Sequence, residues 1–359
     1  MRTFKNVRAI KFIAKFNGKG CVNFDSKEQK FFLKKANFYD NEIYDNYLLA
    51  KKIFKTDEND NGETIYKFKY KVSSECLRNA MFKENIEFQN PNIAAIPHIL
   101  YNAIAMPAEI IRGYMFTQGT KNTLHKSTVI TICDAVETGP WRNNIVFDFH
   151  SRSGEKNREV KNDNDANDTT IYNIENVGNL TYESQGYIDL TEAQFISGDV
   201  IYDRMAIDAD GGANERIYLD ALKRNLPSLD AKFDFYYMAN NYFKDEWAER
   251  GIFLDIESIN TLTLLTLKYL LNINIYRRNA QLNIDKLFIK VICDGNEESE
   301  EIEITPSNVN DFRFEYYRKY FPADADLIRK NRELIKEAKK LAKESKQDKG
   351  TKQNKNDIE

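Results

Sequence analysis

Arg78, Arg112 and the run His125-Lys126-Ser127 are the side chains of this 359-residue chain whose types and surroundings suit holding an anion. Arg78 stands in SSECLRNAMF, one residue from the apolar stripe Leu77, Ala80 and Met81. Arg112 and Gly113 stand in AEIIRGYMF, which leads into the polar run TQGTKNTLHKS. A guanidinium offers forked N–H donors that match phosphate oxygens, and short hydroxyl and ammonium side chains in a loop contact phosphates as well. By type alone both arginines suit surface ion pairs equally well, and such pairs contribute little. His125 beside Lys126 has the chemistry of a general base for RNA cleavage, as does His150, but neither has a second catalytic group beside it in sequence.

Other chemistries lack their motifs. No G-x-x-x-x-G-K-[ST], G-x-G-x-x-G, G-x-S-x-G or H-E-x-x-H occurs, so neither a phosphate-binding loop, a nucleophile elbow nor a zinc protease helix is indicated. Cys21, Cys76, Cys133 and Cys293 are far apart, and His98, His125 and His150 share no ligand spacing with them. The expectation is therefore no metal, no cofactor, and reduced thiols in a cytoplasmic protein. Asp208 and Asp210 in DADGG open like a calcium loop but lack its continuation, which favours a turn.

The elements that must position these residues follow from periodicity. Val7 to Phe16 alternates as a half-buried strand, with a turn expected at Asn17-Gly18 and a short return strand over Cys21 to Phe24. Asp25 to Gly62 is rich in Lys, Asn, Asp and Tyr and predicts a loop-rich insertion ending in DENDNG. TIYKFKYKV then sets Tyr66, Phe68, Tyr70 and Val72 against Lys67, Lys69 and Lys71, giving a strand whose cationic face is either solvated or turned to phosphate. Ser73 or Ser74 caps the helix carrying Arg78, and Pro97 and Pro107 bracket a second short helix. TVITICDAV predicts a strand. Glu137 to Asp168 predicts a flexible loop or hairpin tip, and TTIYNIENVGNLTYESQGYIDL two or three strands. A helix over ERIYLDALKRNL, a long buried helix over Asp255 to Tyr276 and strands over Leu282 to Cys293 and Ile302 to Ile304 complete the body. Beyond Asp324 a helix with Leu327, Leu334 and Leu341 seven apart gives way to a disordered end.

The net charge of −3 gives no general sign of a nucleic-acid partner. Arg329 to Lys355, however, holds eleven Lys or Arg against four acids, an excess that leaves the rest of the chain near −10. Anion binding by the body then needs locally clustered cations. The apolar runs Ile93 to Phe116 and Ile259 to Tyr276 are interrupted by charged, proline or amide residues, so no membrane span is expected. The 20 Tyr and 23 Phe fit a large sheet core and leave base stacking open as a second use.

Taken together, CVNF, SSECLRNAMF, IIRGYMFTQ, HKSTVITICD, the block ending YESQGYIDLTEAQFISGD, and YDRMA occur in an order that resembles the guide-RNA backbone subunit of CRISPR Cascade. That subunit is the Cas seven family of the RAMP superfamily, and the resemblance is to the minimal variant of type I-F. It spans about residues 20 to 207. It implies an α+β fold, an RRM-like (ferredoxin-like) palm with large inserted loops and hairpins. Residues 1–323 would form one such palm with insertions near 25–62 and 137–168, followed by a basic helical to disordered tail, 324–359. The resemblance further implies a non-catalytic subunit whose copies stack head to tail along the guide RNA as a helical filament, beside other Cascade subunits. Target DNA would be read by pairing with the guide. A protruding hairpin would displace a base at intervals, the first candidate lying in Glu137 to Asp168 and the second after Asp25. On this resemblance the RNA-binding residues are Arg78, Arg112 and Gly113, the loop residues His125, Lys126 and Ser127, and the Gln194-Phe195 pair. The loop departs from the family, which tends to carry two cations and a proline where this chain has His125-Lys126-Ser127-Thr128. The basic tail has no counterpart. The alternatives are a RAMP-type endoribonuclease processing precursor RNA, with His125 or His150 as base, and a protein-only scaffold.

Overall fold

Ile10, Phe12, Ala14 and Phe16 recur at the period of a strand with one buried face, and in the computed structural model all four are at most 1% exposed. The described residues are 1–24, 47–59, 61–83, 97–117, 123–153, 169–199, 204–208, 212–226, 229–230, 232–239, 248–277, 280–334, 337–338 and 340. In chain order they begin with strands β1 (Arg2–Lys19), β2 (Tyr47–Leu48), β3 (Lys52–Glu58) and β4 (Thr64–Val72), then helices α1 (Ser74–Met81), α2 (Pro97–Ile104) and α3 (Pro107–Arg112). Strands β5 (Tyr114–Thr117), β6 (Thr123–Lys126), β7 (Ile130–Ile132), β8 (Ala135–Glu137), β9 (Phe147–Ser153), β10 (Thr169–Glu175) and β11 (Asn179–Asp189) follow. Next are α4 (Leu190–Ala193), β12 (Phe195–Ser197), β13 (Arg204–Met205), α5 (Ala213–Asn225), β14 (Phe233–Met238), β15 (Glu249–Phe253) and α6 (Ile256–Leu271). The last strands are β16 (Asn274–Arg277), β17 (Ala280–Cys293), β18 (Ile302–Ile304), β19 (Phe312–Tyr316) and β20 (Tyr320–Pro322).

The chain divides into two compact units. The first comprises Met1–Ile86, Ile130–Asp189 and Thr263–Arg313, and the second Glu87–Val129, Leu190–Leu262 and Phe314–Glu359. The first unit is built on a large antiparallel sheet in the order β16-β17-β1-β11-β8-β4-β3, with β7 added on β11 and β18 on β17. β1 is central, antiparallel to β11 on one side and β17 on the other, so Ile10 stands between Ile188 and Val291. β9 and β10 pair antiparallel, and β10 pairs in parallel with β2.

The second unit packs α2 against α5, burying Leu100, Tyr101 and Ile104 with Tyr218, Ala221 and Leu222. It also holds a sheet in the order β12-β15-β14-β20 and a smaller one in the order β13-β6-β5. Residues 325–334 are helical. Ile328 packs there with Phe235 and Ala248, and Arg332 is paired with Asp199 at 2.8 Å, whereas Leu327 and Leu334 are exposed.

Several expectations change. The chain does not turn at Asn17-Gly18, because both residues are paired to β11 and to β17, and β1 runs on to Lys19. Cys21 to Phe24 forms no return strand but a bend with one bridge from Phe24 to Ala50. Residues 52–58 are not loop but β3, which forms a hairpin with β4; its charged side chains hid the strand. The helix over Asp255 to Tyr276 ends at Leu271, and the last residues join the sheet as β16. The rest of the expected lobe (25–46), residues 154–168, the DADGG residues 209–211 and the tail from 341 lie outside the described residues.

Candidate functional site

In the second unit, Pro107 occupies the first turn of α3, where its missing N–H is not needed. Ala108, Glu109, Ile110 and Ile111 are buried, which leaves Arg112 half-buried at the last position. Gly113 ends the helix at φ 73°, ψ 161°, a region open essentially to glycine alone. A Cβ there would stand 2.6 Å from the Lys126 carbonyl oxygen and 2.7 Å from the Thr128 nitrogen. The Arg-Gly-Tyr segment is therefore pressed onto the His-Lys-Ser-Thr segment. The Thr128 hydroxyl and the Val129 N–H both donate to the Ile111 carbonyl, at 3.3 and 2.9 Å.

β5 and β6 are paired so that Tyr114 faces Lys126 and Met115 faces His125. The expected polar loop is thus a hairpin on this side; its residues 118–122 lie outside the described ones. Leu124 and Lys126 share the buried face of β6, while His125 is half-buried and Ser127 exposed. Among the described residues the Lys126 ammonium reaches two carbonyls, those of Ser127 and Glu192, each at 3.4 Å. Burial lowers its pKa to about 8, opposed by the charge of Glu192. Glu109 shows the opposite shift: burial raises its pKa to about 7 against the pull of Arg112, and Oε1 has no hydrogen-bond partner among the described residues.

Gln194 and Phe195, in the same unit, are held by the fold. The fully buried Gln194 amide donates to the Tyr317 carbonyl at 2.7 Å and accepts from the Lys319 N–H at 2.9 Å. Phe195 is buried, stacked on Tyr320 at 4.7 Å between ring centres and edge-on to Tyr236 at 5.6 Å. The second unit thus brings Arg112, Gly113, Lys126 and Ser127 onto one turn and hairpin, and places Gln194 and Phe195 where their side chains fasten strands.

Arg78 belongs to the first unit. Ser73 caps α1 by accepting from the Cys76 N–H at 3.4 Å, and Asp134 accepts from the Ser74 N–H at 2.7 Å. With Leu77 and Met81 buried, the Arg78 side chain is half-buried at the stripe's border. Neither Arg78 nor Arg112 has a side-chain hydrogen bond or ion pair among the described residues. The lysines of β4, by contrast, are occupied within the unit. Lys67 pairs with Asp57 at 3.0 Å and Lys71 with Asp134 at 2.9 Å, and Lys69 lies 5.5 Å from the Trp141 ring centre.

The sequence reading missed a buried charged cluster beneath that strand. Lys52 and Glu175 form an ion pair with both side chains fully buried. Glu175 also accepts from the Tyr70 hydroxyl at 2.7 Å and the Ala50 N–H at 2.9 Å. Arg142 forks onto buried Glu137 at 2.8 and 3.0 Å. Lys52 and Glu175 are 123 positions apart, so no local pattern could have joined them. His150 lies on β9, and its side chain is outside the described residues. Among the described residues no three His, Cys, Asp or Glu side chains gather into a metal-binding group, and no helix is long and apolar enough to cross a membrane.

Residues 6–324 match the model of a family described as type I-Fv CRISPR-associated protein Cas7fv-like. Among solved structures, a chain of a CRISPR RNA-guided surveillance complex is 12% identical, with 93% of this chain and 84% of that chain covered at a TM-score of 0.36. A chain of a CRISPR RNA-guided surveillance complex titled as pre-nicking is 9% identical, with 79% and 75% covered at a TM-score of 0.35. No curated protein matches the sequence.

Proposed function

The chain belongs to the type I-Fv CRISPR-associated Cas7fv-like family, and from that membership we propose that it is a non-catalytic subunit that binds a guide RNA by its backbone. Copies of it assemble head to tail along the spacer, beside other subunits of a cytoplasmic surveillance complex, and present the guide for pairing with target DNA. Its first unit serves as the RRM-like palm, for which the central β1 between two antiparallel neighbours is suited.

The observation that supports this reading most is the state of Arg78 and Arg112. Both arginines are half-buried on capped or glycine-ended helices, without a side-chain hydrogen bond or ion pair among the described residues, while Lys67 and Lys71 of β4 are paired. A cation held in place and left unpaired has its donors available to a phosphate. Ser127 adds an exposed hydroxyl and His125 a ring on the same hairpin. Gly113, Lys126, Gln194 and Phe195 act by positioning: Gly113 lets the hairpin approach, and the other three hold it and the adjoining strands.

The test is the RNA carried by the full chain purified from cells that express a guide. Absorbance ratio and nuclease footprint are expected to give RNA protected at regular intervals, lost in the Arg78→Ala/Arg112→Ala double variant. A double variant that keeps its RNA and footprint overturns the site. Metal-free cleavage of precursor RNA by the chain, abolished in His125→Ala, would replace the binding role with an endoribonuclease.

A further inference from the structure

A groove of ≈ 600 Å³ opens in the first unit where α1 meets β16. Cys76, Asn79 and Ala80 line it from α1, three and four residues apart and so on one face of the helix. At 100° per residue Arg78 points roughly 150° away from that face, so the groove is separate from the Arg78 contact proposed above. Its charge is one-sided: among the described residues Lys51, Lys83 and Arg277 stand against the single carboxylate Glu75. Arg277 is exposed and has no hydrogen bond or ion pair among the described residues, and Lys83 donates to Asn274 on the groove wall. The neighbouring Tyr276 is a large ring left 67% exposed.

Asn23 makes the groove more than a cationic patch. Asn23 is 8% exposed and its Nδ2 donates to Ser73 Oγ at 2.9 Å, yet Oδ1 is buried without a hydrogen-bond partner among the described residues. A buried acceptor without a donor is costly, and a ligand that brings an O–H or N–H there removes the cost. The lining therefore asks for three things in one molecule: an anion for Lys51, Lys83 and Arg277, a flat apolar face for Tyr276, and a hydrogen-bond donor for Asn23. A nucleotide of single-stranded RNA has all three, in its phosphate, its base and its ribose 2′-hydroxyl.

We propose that this groove holds one nucleotide of a single-stranded RNA, with the phosphate at Lys83 and Arg277, the base on the Tyr276 ring and the 2′-hydroxyl donating to Asn23 Oδ1. The proposal rests on the reading that the chain binds RNA, and it adds a contact that none of Arg78, Arg112 or the hairpin supplies.

The test uses the nucleic-acid-free full chain and fluorescein-labelled oligouridylate, followed by anisotropy across a series of KCl concentrations. Tyr276→Ala is expected to weaken binding roughly 5- to 150-fold, the effect of one lost base–aromatic stack. Lys83→Ala/Arg277→Ala is expected to lower the slope of log K against log salt by about 1.4, two single-strand phosphate contacts. The 2′-deoxy oligomer is expected to bind the unaltered protein more weakly, a readout that needs no substitution at Asn23. Wild-type affinity and slope in both groove variants, with binding still lost in Arg78→Ala/Arg112→Ala, overturn the groove and leave the proposed function standing. Equal affinity for ribose and deoxyribose oligomers overturns the Asn23 contact. No binding of oligouridylate by the wild-type chain overturns the groove together with the RNA-binding reading beneath it.

Discussion

Replacing Gly113 with alanine probes the point at which two segments of the candidate site are pressed together. The backbone at φ 73°, ψ 161° admits glycine, and forcing another residue into such a region costs about 1–3 kcal/mol. At roughly 2–4 °C per kcal/mol for a unit of this size, that strain alone lowers the melting temperature by about 2–12 °C. The added Cβ also meets the Lys126 oxygen at 2.6 Å and the Thr128 nitrogen at 2.7 Å, both backbone atoms that cannot rotate away. The hairpin must therefore move off the helix end, carrying Lys126, Ser127 and Thr128 with it. Gly178→Ala provides the control, since Gly178 has φ +71° but nothing within 4 Å of where its added methyl would stand. Calorimetric melting and RNA anisotropy on both variants separate backbone strain from contact. Gly113→Ala is expected to melt lower than Gly178→Ala and to bind RNA at least about tenfold more weakly, roughly 1.4 kcal/mol. Equal melting temperatures and equal RNA affinities for the two variants would refute the close-approach reasoning.

Lys52→Met leaves Glu175 buried without its cation and is expected to destabilise the first unit by about 3–5 kcal/mol in urea unfolding; the Lys52→Met/Glu175→Leu double variant should recover part of that loss. Glu109 has its pKa raised from 4.5 to about 7, so the folded state holds the proton longer, and stability from this group is full below about pH 4.5 and lost as pH rises through 7. Glu109→Gln should remove that decline, giving a variant more stable than the wild type at pH 8 in parallel thermal melts, and a wild type that gains stability from pH 5 to 8 relative to the variant would contradict it.

The fold was legible where one face alternates and illegible where charge masks the period. Ile10 to Phe16 announced β1 because every second residue is apolar, and SSECLRNAM announced α1 because a serine cap precedes an apolar stripe. β3 was missed because Lys52, Lys55, Asp57 and Glu58 crowd its seven residues, although Lys52 itself points into the protein. Asn17-Gly18 looked like a turn by composition, yet pairing on both sides keeps it extended. The hairpin Tyr114 to Lys126 looked like loop for a related reason: Lys126 occupies a buried strand position that a sequence pattern assigns to an apolar residue.

The same masking governs the candidate site, because the quantity that matters there is not how many cations a segment has but how many remain unpaired after folding. TIYKFKYKV sets three lysines on one strand face, but Lys67, Lys69 and Lys71 are taken up by Asp57, Trp141 and Asp134. Asp57 lies 10 positions from Lys67 and Asp134 lies 63 from Lys71, so only folding reveals the neutralisation. Arg78 and Arg112 each stand nearly alone in sequence and Arg277 is followed by Arg278, and all three keep their donors free among the described residues. A chain with a net charge of −3 can therefore present anion contacts without a large basic patch, provided its carboxylates neutralise the clustered lysines and leave these arginines. Adding an acid beside one of them tests that logic directly: Asn79→Asp on the groove face should weaken oligouridylate binding more than Asn61→Asp at the β3–β4 turn, although both change the net charge equally.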